Sequence, residues 1–370
     1  MLGMFRYKIA LPMGLLVLCV IQNSFAAESS SQRLVSSELL KHANLKILWV
    51  NKLPIIKDES LERLHILGNR VYAISNQNYM VSLNRANGNM IFGRTVAPAG
   101  LPIAGLKLYG DKLISITGSK IFEIDPESGL EQRAMDVGFS IACPADRNST
   151  FFYVSGIDRR LHIFRAKDKV QIFEVSADNG SMITSVIADE TFVVFATEAG
   201  NVISIAPNRP TRLWQFDAAD AIAGTIIRDG MSLYFASKNT NVYRIDIVGL
   251  PERRRLVWKY QTDGILEQTP RVTQGIVYQY VRRKGLTAID KENGSFLWSV
   301  PGGAELLAEY KGKAYVITEN NKLVVMDNVK AKRLYSVNFS GVTKHAANII
   351  DGKIYIADKY GQIACLQPVE

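Results

Sequence analysis

A repeat of about 41 residues is the feature that most constrains what this chain can fold into. Aromatic residues mark its period, each placed in a short apolar run that precedes a turn. The four tryptophans are separated by near multiples of the period, and other side chains fill the positions between them. In chain order the set is Trp49, Phe92, Met135, Phe173, Trp214, Trp258, Trp298 and Tyr335. Periods of this length are typical of propellers and related repeat folds.

The segment Gly275–Val300 shows what one repeat contains. It has three short runs rich in β-branched and aromatic residues, at Ile276–Val281, Leu286–Ile289 and Phe296–Val300. Such runs favour β-strands, and Asn293-Gly294 is a dipeptide that supplies the positive φ of a tight hairpin. The segment therefore predicts three antiparallel strands joined by short turns.

Two further signals recur with the same period. A glycine turn precedes an apolar strand at Gly68, Gly110, Gly230, Gly275, Gly312 and Gly352, and an aspartate ends a strand at Asp125, Asp246, Asp290 and Asp327. A carboxylate after a strand can accept N–H groups of the following turn, so we interpret these aspartates as turn formers rather than metal ligands.

Counting strands gives eight repeats, which open at about residues 59, 101, 139, 181, 221, 265, 305 and 343. Each has four strands except the last, which has three. Ile47–Val50 is a strand without a partner before it, and we expect it to pair with Ile363–Leu366 and so remove the open edges of the ring. The predicted fold is an all-β, eight-bladed β-propeller of four-stranded antiparallel blades over residues 45–370.

The first residues resemble a secretory signal peptide over residues 1–26. Arg6 and Lys8 precede the apolar run Ile9–Ile21, and small residues follow, which predicts cleavage after Ala26 or Ala27; an uncleaved anchor is the alternative. Residues 27–44 form an N-terminal arm that ends in a short helical turn. Export would reduce the formal charge from +9 to +7 and place the chain in the periplasm with no transmembrane segment. Leu18 before Cys19 is unsuited to lipoprotein processing, so no lipid anchor is predicted.

The turn sequences Lys291–Trp298 and Pro126–Gly129 resemble the pyrroloquinoline-quinone-like (PQQ-like) repeat, and over the mature length the chain is similar to the outer-membrane assembly factors of the BamB family. The resemblance implies a non-enzymatic periplasmic scaffold that binds envelope proteins, among them components that assemble outer-membrane β-barrels. It also leaves open a quinoprotein dehydrogenase-like chain or a propeller that binds a small ligand or sugar.

A search for catalytic chemistry finds no constellation. The histidines His42, His65, His162 and His345 lack the spacing of a zinc site, and no hydrolase, nucleotide or calcium motif is present. Cys143 and Cys365 fall on an innermost strand of repeat three and a third strand of repeat eight, so we expect no disulfide between them. The sequence predicts no catalytic residue, no cofactor and no metal.

Polar residues on the predicted innermost strands should point into the channel or its rim and pair with one another and with channel water. They are Glu62, Arg63, Glu267, Gln268, Lys344 and His345. A small-ligand or peptide site at the mouth of the channel is the alternative, since propellers bind where their loops converge.

Basic runs give a possible interaction surface. Arg282–Lys284 lies between second and third strands, whereas two other runs lie between third and fourth strands and so on the opposite face, which argues against one nucleic-acid stripe. The candidate residues are Arg253, Arg254, Arg255, Lys330, Lys332 and Arg333. These residues could bind an acidic envelope protein or anionic lipid head groups, or they could be ordinary solvated surface. The chain is expected to be a monomer.

Overall fold

A computed structural model describes residues 34–249 and 251–369. The predicted signal peptide, its cleavage after Ala26 or Ala27, and the first part of the arm lie outside these residues. The predicted helical turn of the arm is present as α1 (Ser37–His42), with the Ser36 hydroxyl accepting the N–H of Leu39 at 3.3 Å. No described helix has the length and apolarity needed to span a membrane.

The described chain is otherwise a series of strands grouped into eight four-stranded antiparallel sheets, as predicted. Blades 1 to 4 consist of β2 (Leu61–Leu67), β3 (Arg70–Ser75), β4 (Tyr79–Asn84) and β5 (Met90–Thr95); β6 (Ile103–Tyr109), β7 (Lys112–Thr117), β8 (Lys120–Ile124) and β9 (Glu131–Asp136); β10 (Asp146–Arg147), β11 (Phe151–Ser155), β12 (Arg160–Arg165) and β13 (Gln171–Ser176); and β14 (Ile183–Ala188), β15 (Val193–Thr197), β16 (Asn201–Ile205) and β17 (Arg212–Asp217).

Blades 5 to 8 follow the same order, except that the last blade takes its outermost strand from the start of the chain. They consist of β18 (Ile222–Asp229), β19 (Ser232–Ser237), β20 (Asn241–Ile247) and β21 (Arg254–Gln261); β22 (Arg271–Val272), β23 (Ile276–Val281), β24 (Gly285–Asp290) and β25 (Phe296–Pro301); β26 (Gly303–Tyr310), β27 (Lys313–Thr318), β28 (Lys322–Asp327) and β29 (Lys332–Asn338); and β30 (Lys344–Ala346), β31 (Ile354–Ala357), β32 (Gln362–Pro368) and β1 (Leu45–Lys52).

The predicted closure of the ring is confirmed. Strand β1 pairs antiparallel with β32, with Ile47 opposite Leu366 and Val50 opposite Ala364, and a bulge separates Ile47 from Trp49. The eighth blade is therefore complete only when the two ends of the propeller meet.

The hydrophobic core of the described chain is divided among eight clusters, and each cluster lies between two neighbouring blades. Second and third strands bury nearly every side chain, as in Val193–Thr197 of β15. A single blade cannot cover its own apolar faces, so the blades depend on their neighbours for stability.

The aromatic residues of the fourth strands pack between blades, as predicted. Trp49 of blade 8 lies against Gly88 in the turn of blade 1, and Trp258 of blade 5 lies against Gly294 in the turn of blade 6. Their indole Nε1 atoms donate to the carbonyl oxygens of Arg85 (3.2 Å) and Lys291 (2.9 Å). The glycine has positive φ and no Cβ, which lets the ring approach the turn closely.

Two placements made from the sequence are corrected by the structure. Cys143 lies in a bend before β10 rather than on that strand, because β10 is only two residues long. Glu267 and Gln268 lie in the segment that precedes β22, which is equally short. The prediction that Cys143 and Cys365 are not paired is confirmed, and both thiols are buried.

Candidate functional site

The two faces of the ring carry different loops. In an antiparallel blade the turns between strands 1 and 2 and between strands 3 and 4 lie at the same end, so we call that end the 3–4 face and the other end the 2–3 face. Arg253 and Lys330 lie in 3–4 loops of blades 5 and 7, and Arg282–Lys284 connects β23 to β24 on the 2–3 face. The prediction that the runs of blades 5 and 7 lie between third and fourth strands holds for Arg253 and Lys330, whereas Arg254 and Arg255 begin β21, and Lys332 and Arg333 begin β29.

The three arginines of blade 5 are not equivalent. Arg254 donates from Nε to the carbonyl oxygen of Gln215 at 2.7 Å and lies 5.2 Å from the ring of Phe216 on blade 4. Arg255 forms an ion pair with Asp246 at 3.5 Å. Arg253 is exposed and forms no ion pair with a described residue, so it is the arginine of this run whose charge is left for a partner.

The basic run of blade 7 is exposed at all three of its candidate residues. Lys330, Lys332 and Arg333 form no ion pair with any residue that the structure describes. Their loop is held by Asp327, whose Oδ1 accepts the N–H groups of Lys330 (2.9 Å) and Val329 (3.0 Å). These backbone hydrogen bonds lower the pKa of Asp327, which confirms the turn-forming role predicted for it.

The other strand-ending aspartates agree, with one exception. Asp125 and Asp290 accept the N–H two residues ahead at 2.7 and 2.9 Å. Asp246 instead accepts from the hydroxyl of Ser232 at 2.7 Å and from Arg244 at 3.0 Å. Burial opposes the ionisation of Asp246, but these two hydrogen bonds, together with the charges of Arg244 and Arg255, outweigh it and lower the pKa of Asp246.

Ion pairs among inner-strand residues were expected, and one that joins two neighbouring blades was missed. Arg271 of β22 donates from Nε and Nη2 to the two carboxylate oxygens of Glu305 on β26, at 3.0 Å each. Burial lowers the pKa of the nearby His345, with the charges of Arg271 and Lys344 acting in the same direction and Glu305 opposing. The sequence held a signal for this pair, because both residues lie near the start of a repeat. Their contact could not be predicted, because it joins two different blades.

A second polar cluster lies at the inner side of blades 2 and 3. Lys107 Nζ donates to Asp146 Oδ1 at 2.6 Å, and Asp146 Oδ2 accepts the N–H of Ala188 at 2.9 Å. Arg147 pairs with buried Glu123 at 3.1 Å, and its guanidinium lies between two aromatic rings, 4.3 Å from that of Tyr109 and 4.5 Å from that of Phe152. None of these side chains is marked by a motif or a periodic signal in the sequence.

These residues adjoin a cavity of about 290 Å³ between blades 2 and 3. Its lining is mainly apolar and includes His65 from blade 1. The lining residues are His65, Ala104, Gly105, Leu106, Lys107, Tyr109, Ile114, Ile116, Pro144, Ala145, Asp146, Arg147 and Phe152.

The described residues do not fit a pyrroloquinoline quinone with its calcium ion. The resemblance implies adjacent cysteines and calcium-binding carboxylates for such a group. Cys143 belongs to the core between blades 3 and 4, and Cys365 to the core between blades 8 and 1. Within the described part of the chain, no group of three or more His, Cys, Asp or Glu side chains is placed to hold a metal ion.

Comparison with known proteins supports the fold. Residues 238–369 match the family described as outer membrane protein assembly factor BamB. No curated protein matches the sequence. BamB from Moraxella catarrhalis is similar in structure, with a TM-score of 0.66, 14% identity, and coverage of 87% of this chain and 97% of that one.

Two other solved structures show how widely this architecture occurs. The computationally designed Ika8 protein has a TM-score of 0.64 at 12% identity, covering 86% of this chain and 99% of that one. The Cps50 (Swd1) β-propeller domain of Myceliophteria thermophila has a TM-score of 0.56 at 12% identity, covering 87% and 100%. Structural similarity at such low sequence identity shows a shared fold and does not show a shared function. The described chain is thus an eight-bladed β-propeller of PQQ-like repeats that resembles the outer-membrane assembly factor BamB.

Proposed function

We propose that this protein is a non-enzymatic scaffold of the cell envelope, exported to the periplasm, that binds envelope proteins as a monomer. The match of residues 238–369 to the BamB family supports this proposal, as does the likeness to BamB from Moraxella catarrhalis. Components that assemble outer-membrane β-barrels are the partners that these similarities favour.

The observation that carries the proposal is a set of uncompensated charges on one face. Arg253, Lys330, Lys332 and Arg333 are exposed on or beside 3–4 loops of blades 5 and 7 and form no ion pair with a described residue. Exposed charges of one sign on one face attract a surface of the opposite sign and accelerate its association. An acidic patch on an envelope protein is the partner surface that this set would recognise.

Capture of partners from cross-linked cells tests the proposal. The tagged full-length chain is expressed in its own host, its cell fraction is determined, and the captured proteins are identified by mass spectrometry. We expect a periplasmic chain that captures a reproducible envelope partner, and capture should weaken when Arg253, Lys330, Lys332 and Arg333 are replaced by Ser.

A matched variant on the other face provides the control. Lys57, Lys238, Arg283 and Lys322 are exposed, lie at or beside the loops of the 2–3 face, and form no ion pair with a described residue. Replacing these four by Ser removes the same charge and should leave capture unchanged. Equal capture of the partner by both variants, at low and at high salt, would show that the 3–4 face is not the binding surface. Recovery of the tagged protein in the cytoplasmic fraction would contradict the proposed periplasmic location.

A further inference from the structure

The cavity between blades 2 and 3 lies beside a very short inner strand. Strand β10 has two residues, whereas β6 beside it has seven. Before β10 the chain bends at Cys143 and Pro144, and Pro144 contacts the neighbouring blade at Gly105, where a Cβ would lie 2.9 Å from its own. The contact between Pro144 and Gly105 joins the two blades. The cavity is the space beside this contact that no side chain fills.

The walls of this space suit a hydrocarbon. Ile114, Ile116 and Phe152 contribute buried apolar surface, and Leu106 and Pro144 also line the cavity. Apolar cavities of this kind bind apolar molecules, because water inside them finds few hydrogen-bond partners. At about 290 Å³ the volume lies at the lower end of the range for small-molecule sites, so the ligand must be small.

The charges around the cavity leave one cation available. Asp146 accepts from Lys107 and from the N–H groups of Arg147 and Ala188, at 2.6–2.9 Å. Glu123 is neutralised by Arg147 and Lys112, at 3.1 Å each. Glu123 and Lys112 lie behind the lining, which itself holds the cations Lys107 and Arg147 and the carboxylate Asp146. Positive charge is therefore in excess at the cavity, which favours an anionic ligand.

Lys107 is the group that can receive this anion. Its side chain is 56% exposed, and an ammonium group has three donors, of which Asp146 takes one. The guanidinium of Arg147 is enclosed by aromatic rings, and burial, followed by the charge of Arg63, lowers the pKa of His65 below its ordinary value. His65 is therefore a neutral polar group of the wall at pH 7.

We propose that this cavity binds a short aliphatic carboxylate, whose hydrocarbon lies among Leu106, Ile116 and Phe152 and whose carboxylate pairs with Lys107. This site goes beyond the scaffold function and does not rest on it, since it lies between inner strands and not on the loop face. Ala104 is exposed and also lines the cavity, so with Lys107 it marks the entrance.

Calorimetric titration of the full-length protein with octanoate tests this site. The cavity has the volume of about ten water molecules at about 30 Å³ each, which suits an eight-carbon acid. We expect saturable one-to-one binding of octanoate, with octanol at least tenfold weaker and octylamine weaker still. Octanol or octylamine binding as tightly as octanoate would overturn the role of Lys107.

Three variants locate the site, each checked for native circular dichroism. Lys107→Met should weaken octanoate at least tenfold and leave octanol unchanged, because Asp146 keeps its two backbone donors. Ala104→Phe narrows the entrance and should abolish binding of both. Lys344→Met removes a lysine of another inner strand and should change the binding of neither octanoate nor octanol. No saturable binding at several millimolar octanoate, or unchanged binding by the Lys107 and Ala104 variants, would refute the proposal.

Discussion

The indole ring of Trp49 lies so close to Gly88 that a Cβ on the glycine would come within 2.5 Å of it. Trp49 belongs to β1 of blade 8, and Gly88 belongs to the 3–4 turn of blade 1. The contact therefore joins the blade that contains both ends of the propeller to the blade that follows it. Trp258 and Gly294 form the same contact between blades 5 and 6, where no closure is involved.

Replacing Trp49 by Ala should reduce the free energy of unfolding by about 3–5 kcal/mol, since a buried aromatic side chain and its packing are lost. Urea denaturation followed by circular dichroism measures the change. Tyr335 is the control, because it occupies the equivalent strand of blade 7 and is substantially exposed. If Trp49→Ala reduces the free energy of unfolding no more than Tyr335→Ala does, the contact that closes the ring is not important for stability.

Gly88→Ala should destabilise the protein more than Gly110→Ala does. Both glycines have positive φ, at +75° and +58°, so both variants incur about 1–2 kcal/mol from the left-handed backbone. Only Gly88 also meets the indole ring, whereas nothing lies within 4 Å of a Cβ at Gly110. The extra destabilisation by Gly88→Ala should therefore be smaller when the substitution is made in the Trp49→Ala variant. If the effects of the two substitutions on the free energy of unfolding simply add, the contact between the two residues does not contribute to stability.

Asp351→Asn should lower stability at neutral pH and have little effect in acid. The Asp351 carboxylate pairs with Arg85 at 2.5 Å, linking blades 8 and 1. Burial alone would raise the pKa of Asp351, but hydrogen bonds from Asn348 and Arg85 outweigh it and lower the pKa.

A lowered pKa means that this stabilisation is present above the ordinary carboxyl pKa of about 3.9 and is lost as pH falls through the folded value. We therefore expect a difference of about 1–3 kcal/mol between wild type and Asp351→Asn at pH 7 that narrows below about pH 4. Denaturation midpoints across pH measure it. Asp111→Asn, at an exposed carboxylate, should track the wild type at every pH.

The thiols of Cys143 and Cys365 should resist alkylation in the native protein. Burial raises the pKa of each to about 11, so few thiolates exist at pH 8. In a Cys19→Ser variant, iodoacetamide should label neither cysteine in buffer and both in denaturant, as measured by intact mass. A peptide containing both residues joined by a disulfide would refute the predicted pairing state.

The repeat made the fold predictable because each blade uses the same local signals. Trp49, Trp258 and Trp298 are all buried on fourth strands, and Ile47 pairs with Leu366 as the strand count required. Periodicity reports which residues occupy equivalent positions, and equivalent positions in a repeat fold have equivalent neighbours.

The candidate sites were less predictable because they depend on differences between blades. Arg254 looked available in the sequence, yet its partners Gln215 and Phe216 lie on the preceding blade. The pairing of Lys107 with Asp146 and the cavity beside it lie at the short strand β10, and no periodic signal marks either of them. Such contacts require the spacing between inner strands, which only the assembled ring supplies.

The pairing of β1 with β32 also sets an order of events during synthesis. The chain is made from its amino end, so blade 1 can cover one side of Trp49 early, but β1 has no strand partner until the residues around Cys365 have been made. Contacts between such distant parts of a chain form slowly. A ribosome that stalls before Gln362 would leave β31 with an unpaired edge and Trp49 without its strand partner, so the nascent propeller stays prone to aggregation until nearly its last residue is joined.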